Sequence, residues 1–395
     1  MLARVRICVV YDCLFPYTVG GAERWYRNLA ERLAGDGHEV TYLTLRQWDR
    51  DEHPDVPGVR VVSAGPRMGL YTEAGGAARR RILPPLVFGA GVLAHLALRG
   101  RRYDAVHMAS FPYFSLLAAG LARVPARYAL VVDWHEVWSR AYWRSYLGPL
   151  GGPIGALVQR LCAAVPQRAF CFSRLHARRL RGLGLRGEVT VLEGEYAGSL
   201  TPPQARPAQL NVVFAGRLIP EKRAVLAVAA LAEAAGRIEG LCGELFGDGP
   251  ERAAVRAEIG RLGLQERVLA PGFVAAERVE QALAQALCML STSSREGYGL
   301  IVVEAAARAT PSVLVAAEDN AATELIEEGV NGFVCASADP VAIAEAIERV
   351  HRAGMELRES TAGWFAANAQ RLSLESSLQT VLASYGAAGE PSPRA

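Results

Sequence analysis

The chain has 395 residues, about half of them hydrophobic and 21% charged, with a formal net charge of +3. That length exceeds what one growing hydrophobic core supports, so two domains are expected, and so small a net charge gives no electrostatic footprint for nucleic acid. The seven cysteines (8, 13, 162, 171, 242, 288 and 335) are odd in number and form no C-x-x-C pair, which argues against both a disulfide framework and a Cys/His metal site.

The opening MLARVRICVVYD passes straight into a strand, without the apolar stretch and cleavage site of a signal peptide, and the expected compartment is the cytoplasm. Short apolar runs at 4–10, 40–45, 59–63, 104–109, 127–132, 169–173 and 188–192 read as strands covered on both faces. Helical patterns fill the gaps, as at 20–35, where Trp25, Leu29 and Leu33 share a stripe. The apolar segment 82–98 is flanked by Arg79–Arg81 and by Arg99, Arg101 and Arg102, is short for a membrane span, and contains Pro84, Pro85 and His95. It reads as a buried helix; the alternative is peripheral contact with an anionic membrane through the arginines of 79–102.

Residues 196–209, with three prolines, read as a linker. A second series of strands follows at 210–216, 243–247, 266–272, 286–291, 311–315 and 332–336, then helical sequence from 341 to 385 and a polar tail. The expected fold class is therefore α/β, with two Rossmann-like domains whose parallel sheets face a central cleft. The N-terminal domain spans 1–195 and the C-terminal one 210–365. A C-terminal helix over 366–385 packs back on the N-terminal domain, and 386–395 is a disordered tail.

Of the 43 Lys and Arg residues only Lys222 is a lysine. It lies five residues after Arg217 in FAGRLIPEKR, and Arg217 directly follows a strand end, where doubly wound sheets bind ligands. A lysine before a helix start works against the helix dipole, a cost that a bound diphosphate would remove. Gly20 and Gly21 stand between a strand and a helix; they are either a tight turn or a close approach for phosphate. In EGYGLIVVE, Glu296 precedes Gly297, Tyr298 and Gly299, a helix begins near Leu300, and Glu304 sits among apolar neighbours that imply a buried, partnered carboxylate. Two carboxylates beside such a helix start suit a ligand with hydroxyls and an anionic end.

FAGRLIPEKR (214–223), FGDGPER (246–252) and the E-x7-E segment 296–304, with GGAER (20–24) and the histidine of VVDWHEVW (131–138), resemble retaining glycosyltransferases of family 4, which have the GT-B fold. The resemblance covers both domains. It implies that Arg217 and Lys222 bind the diphosphate of a nucleotide-sugar donor and neutralise the leaving group. It implies further that Glu304 holds the ribose, that Glu296 holds a sugar hydroxyl, and that Gly297, Tyr298, Gly299 and Leu300 offer backbone to sugar and phosphate. Gly20 and Gly21 would approach the diphosphate, His135 would line the sugar, the backbone around Phe273 would meet the base, and Gly247 and Gly249 would shape the pocket floor. Asp133 and Glu136, beside His135, are acceptor candidates.

The implied activity is transfer of a sugar, from a UDP-sugar above all, to a small-molecule, oligosaccharide or lipid-linked hydroxyl, with no metal or other cofactor. The rivals are a glycogen-synthase-like or phosphorylase-like enzyme and a non-catalytic sugar-nucleotide-binding protein. Acceptor contacts are expected from loops at 11–19, 64–80 and 133–152. Asp49-Arg50-Asp51 matches a D-x-D metal signature but lies in a charged loop. His107 reads as a core or cleft-rim residue. Trp134, Trp138 and Trp143, with Tyr142 and Tyr146, read either as a sugar- or lipid-facing surface or as half-buried packing. The sequence leaves the oligomeric state open.

Overall fold

The computed structural model describes residues 4–18, 20–49, 51–70 and 81–386. The chain divides into two compact units: the first runs to Glu193 and resumes at Glu375, and the second takes Gly194–Leu374. The expected tail beyond Gly386, Arg50 of the D-x-D segment, Arg79, Arg80 and the later part of the 64–80 loop lie outside the described residues.

The first unit is built on a parallel sheet of β1 (Arg6–Val10), β2 (Glu39–Thr44), β3 (Val59–Ser63), β4 (Ala105–Ala109), β5 (Ala129–Trp134), β6 (Arg168–Cys171) and β7 (Val189–Val191) in the order β3-β2-β1-β4-β5-β6-β7. Its central strand β4 is buried at every position, whereas the edge strands β3 and β7 keep partly exposed residues, as a sheet covered on both faces requires. The helices are α1 (Gly21–Gly35), α2 (Leu83–Arg99), α3 (Tyr113–Ala126), α4 (Arg140–Ala163) and α5 (Arg174–Gly182). Crossovers to β2 and to β4 run in opposite directions from the centre, so right-handed connections place α1 on one face and α2 to α5 on the other.

The second unit repeats the scheme with β8 (Asn211–Ala215), β9 (Cys242–Phe246), β10 (Val268–Gly272), β11 (Cys288–Ser291), β13 (Ser312–Val315) and β15 (Gly332–Cys335), ordered β10-β9-β8-β11-β13-β15. Two short strands absent from the sequence expectation, β12 (Arg295–Glu296) and β14 (Asp319–Asn320), pair in parallel beside it. Helices α6 (Ala224–Ala235), α7 (Arg252–Arg261), α8 (Ala276–Gln285), α9 (Leu300–Ala306) and α10 (Pro340–Leu372) complete the unit. Helix α10 breaks at Gly354, and Ser373 separates it from α11 (Leu374–Gly386), where the sequence expectation starts a helix at 366.

A buried polar network holds α1 and α11 on the first sheet. Asp133, at zero exposure, accepts from the Trp25 indole at 2.7 Å and pairs with His107 Nε2 at 2.9 Å. His107 Nδ1 in turn bonds the Tyr385 hydroxyl of α11. Burial pushes the Asp133 pKa up, but His107, His135 and the indole outweigh it and hold the carboxyl below its ordinary value. Below the ordinary carboxylate pKa of about 4 the unfolded chain takes up the proton first, so this contribution is present above that pH and fades as pH falls through the folded value. Asp133→Asn should therefore cost about 3 kcal/mol near neutral pH in urea unfolding, since a broken buried pair leaves its partners unsatisfied. The gap to wild type should shrink below about pH 4; a gap independent of pH would contradict this reading.

Candidate functional site

In doubly wound sheets, ligands bind beyond the carboxyl ends of the strands at the point where strand order reverses. In the second unit that point lies between β8 and β11, and the loops leaving these two strands carry the residues the sequence singles out. The chain leaves β8 through Gly216, places Arg217 exposed, and tightens into a short 3-10 turn, Pro220–Lys222, before α6. It leaves β11 through Thr292–Ser294 into β12, which carries Glu296.

These two loops are stitched together. Lys222 Nζ forms an ion pair with Glu296 Oε1, which also accepts from Ser293 Oγ at 2.9 Å. The pair is shielded, with the side chains 22% and 14% exposed, so each charge needs the other. The buried Thr292 hydroxyl bridges the carbonyls of Lys222 and Arg223 at 2.8 and 2.9 Å. The Ser294 amide donates to the Glu221 carbonyl at 2.7 Å, and Asn320 Nδ2 holds the Ser293 carbonyl at 3.1 Å. Arg217, by contrast, has no ion-pair partner among the described residues, and its guanidinium stands in solvent.

The glycines serve this arrangement. Gly247 and Gly249 lie after β9 with φ of +135 and +153, and a Cβ on either would strike the backbone of the β8 loop, at Gly216 and Leu218. That loop is bonded here too, with the Leu218 amide donating to the Asp248 carbonyl at 2.9 Å. Gly299, in the left-handed region at φ +104, caps α9, and Leu300 opens it. Gly297 is half-buried in the preceding turn, and Tyr298 is 7% exposed. Phe273, just past β10, is 79% exposed.

Glu304 corrects the sequence expectation: it is half-buried, not buried. The apolar residues around it in sequence, Val302, Val303, Ala305 and Ala306, belong to the inner face of α9, whereas Ile301 and Glu304, three residues apart, share the outer one.

In the first unit, Gly20 caps α1 in an extended conformation and Gly21 begins it, beyond the end of β1 and next to the corresponding switch point between β1 and β4. His135 follows β5 and stacks on Phe172 at 4.4 Å between ring centres. Burial lowers its pKa below the ordinary value, against the opposite pull of Asp133 and Glu136, so the ring is neutral at neutral pH. Its Nε2 is buried without a hydrogen-bond partner among the described residues.

Asp133 is a second correction. It belongs to β5, fully enclosed, with its carboxylate spent on Trp25 and His107, so it offers an acceptor nothing. The expected loop 133–152 shrinks to the residues between Trp134 and Arg140. Glu136 stays in that loop and accepts from the Trp138 indole at 2.7 Å. Trp134 and Trp143 are core residues; Trp138, Tyr142 and Tyr146 are half-buried. Asp49 of the D-x-D segment pairs with Arg67 in an exposed loop. Sequence reasoning missed Thr292 and Ser293, whose only signal was a polar run directly after an apolar strand, and Asn320, which follows β13 at a distance and carried no such signal.

The family model described as Glycosyl transferases group 1 matches residues 203–362, and that described as Glycosyl transferase 4-like domain matches 20–193. The chain is 31% identical over 139 residues to an alpha-D-kanosaminyltransferase of Streptomyces kanamyceticus, a match spanning 35% of this chain and 36% of that relative. Its fold is that of a sucrose-phosphate synthase from Thermosynechococcus elongatus, with a TM-score of 0.77 at 18% identity over 97% of this chain and 98% of the other. It is also that of Anabaena HepE solved in complex with UDP, with a TM-score of 0.72 at 20% identity over 97% and 100%. With both halves of the chain matched in order and two doubly wound units beneath them, the chain belongs to the glycosyl transferases group 1 family and has the GT-B fold.

Proposed function

We propose that the protein is a retaining glycosyltransferase that moves a sugar from a nucleotide-diphosphate donor, a UDP-sugar, to an acceptor hydroxyl. The observation that carries the reading is the placement of Arg217 and the Lys222–Glu296 pair on the two loops flanking the β8/β11 switch point. The UDP held by HepE, a protein of the same fold, supports the choice of nucleotide.

On this reading the bond between the anomeric carbon and the phosphate oxygen breaks, leaving its electrons on the diphosphate while the sugar becomes cationic. Lys222 and Arg217 meet the developing negative charge, in a site whose loops are already bonded in place, so little reorganisation is needed at the moment of reaction. The acceptor oxygen attacks the same face that the leaving group departs from, and its proton passes to a departing phosphate oxygen. No separate base is then needed, and the leaving-group charge rests on the two cations without a metal. Glu296 hydrogen-bonds a sugar hydroxyl while keeping Lys222 oriented; neutral His135 donates or accepts at the sugar; Glu304, half-exposed, takes the ribose hydroxyls. Gly20, Gly21, Gly297 and Gly299 leave room for diphosphate beside backbone, and Phe273 presents the backbone that meets the base. The acceptor is a small-molecule, oligosaccharide or lipid-linked hydroxyl.

The test of the function is release of nucleotide from a panel of UDP-, GDP- and dTDP-sugars with and without acceptor extracts. A product whose anomeric configuration matches the donor is expected; inversion overturns the mechanism, and no release with any donor overturns the activity. Lys222→Arg should lower the transfer rate by about tenfold or more, because the forked guanidinium cannot replace a compact ammonium between Glu296 and phosphate. A fully active variant contradicts that. Glu304→Gln should weaken donor binding roughly tenfold with the unfolding midpoint unchanged; equal donor affinity would remove Glu304 from the site.

A further inference from the structure

Helix α4 is built inside out. A surface helix ordinarily turns its large apolar side chains inward and its polar ones outward. Beyond the break at Gly148, α4 instead buries Gly152, Gly155 and Gln159, with Gly155 pressed on the Trp143 ring, and turns Leu150, Ile154, Leu157 and Leu161 to solvent. Their spacing of four, three and four places these on one stripe. Leu150 is 85% exposed and Ile154 64%.

The outer side of α2 is similar. Phe88, Val92 and Leu96 are fully buried in the core shared by α2, α3, α4 and α5, which makes α2 part of the unit's body. Leu83 and Leu98 nevertheless face out, as do Leu121 and Val124 of α3, between the two. By length and hydropathy Leu83–Arg102 would also pass as a membrane span, yet its inner face belongs to the core.

The charge around these helices has one sign. No Asp or Glu occurs from 137 to 187, a stretch that contains nine arginines, and none occurs from 81 to 103, which contains four. The whole chain nevertheless carries only +3. Arg140, Arg144 and Arg160 are exposed on α4 itself, and Arg81, Arg99, Arg101 and Arg102 are exposed at the two ends of α2. A second copy seated on this face would set arginine against arginine, which disfavours a self-complementary interface. Long aliphatic side chains among arginines, with no acidic residue, match the boundary between acyl chains and anionic headgroups.

We infer that the outer face of α2, α3 and α4 docks the first unit on an anionic lipid surface, with the α4 stripe entering the acyl boundary and the arginines meeting headgroups. The inference stands apart from the transfer reading, since none of these residues is assigned to the transfer site.

The test is co-sedimentation of the full chain with vesicles of phosphatidylglycerol or of phosphatidylcholine, at low and high salt, beside light scattering in lipid-free buffer. Sedimentation with phosphatidylglycerol, weakened by salt and absent with phosphatidylcholine, is expected. Leu150→Gln and Ile154→Gln should each lower vesicle affinity roughly tenfold, as loss of a buried aliphatic side chain implies, with an unchanged unfolding midpoint because both positions are exposed. Arg140→Ser with Arg144→Ser should flatten the salt dependence. Failure to sediment, equal binding to both lipids, or a lipid-free dimer that Ile154→Gln dissociates would each overturn the proposal.

Discussion

The ion pair between Lys222 and Glu296 fixes the rest of the second unit's site. Each partner lies in the connection leaving a central strand, and at a switch point the two connections turn to opposite faces of the sheet and leave a gap between them. The pair closes that gap, and the Thr292, Ser294 and Asn320 bonds keep it closed. A shielded cation held this way is aimed before any anion arrives, which is the preorganisation that the role proposed for it in transfer requires. On the proposed reading it also accounts for the choice of lysine in a chain otherwise furnished with arginine. One compact ammonium can lie between a carboxylate and a phosphate, where a planar fork would commit its donors to one of them.

The first unit solves the same topological problem differently. Its network at β4 and β5 is sealed: Asp133 and His107 have no exposure, and their partners come from α1 and α11. That network is architecture, and it supports a short loop on which His135 and Glu136 are the polar side chains nearest the strand end. One unit thus keeps its charges partly exposed, while the other spends its charges on rigidity and carries a neutral imidazole on the loop after β5. Both arrangements follow from where a strand ends relative to the charged residue: Asp133 is still inside β5, whereas Arg217 and Lys222 lie beyond β8.

Most of the fold was legible because parallel strands buried on both faces write themselves as short apolar runs, such as RICVV and CMLS, separated by helix-length gaps. The two-residue strands β12 and β14 carry no such signal; they exist because the loops are tied at Asn320. Among the site residues, Lys222 and Glu296 could be found by composition and spacing. Their mutual contact could not, since 74 residues separate them. Glu304 was misjudged because sequence neighbours are not spatial neighbours on a helix, and Asp133 because the strand runs two residues past its last valine. The outward stripe on α4 escaped notice because glycine on the inner face leaves no apolar pattern to read.

The central claim is that Lys222, oriented by Glu296, carries the charge of the donor's second phosphate. The direct measurement is calorimetric affinity for a nucleoside diphosphate and for the matching monophosphate, in wild type and in Lys222→Gln. The account predicts that wild type prefers the diphosphate by about tenfold or more and that the variant loses most of that preference while keeping its affinity for the monophosphate. An undiminished preference in Lys222→Gln would contradict it.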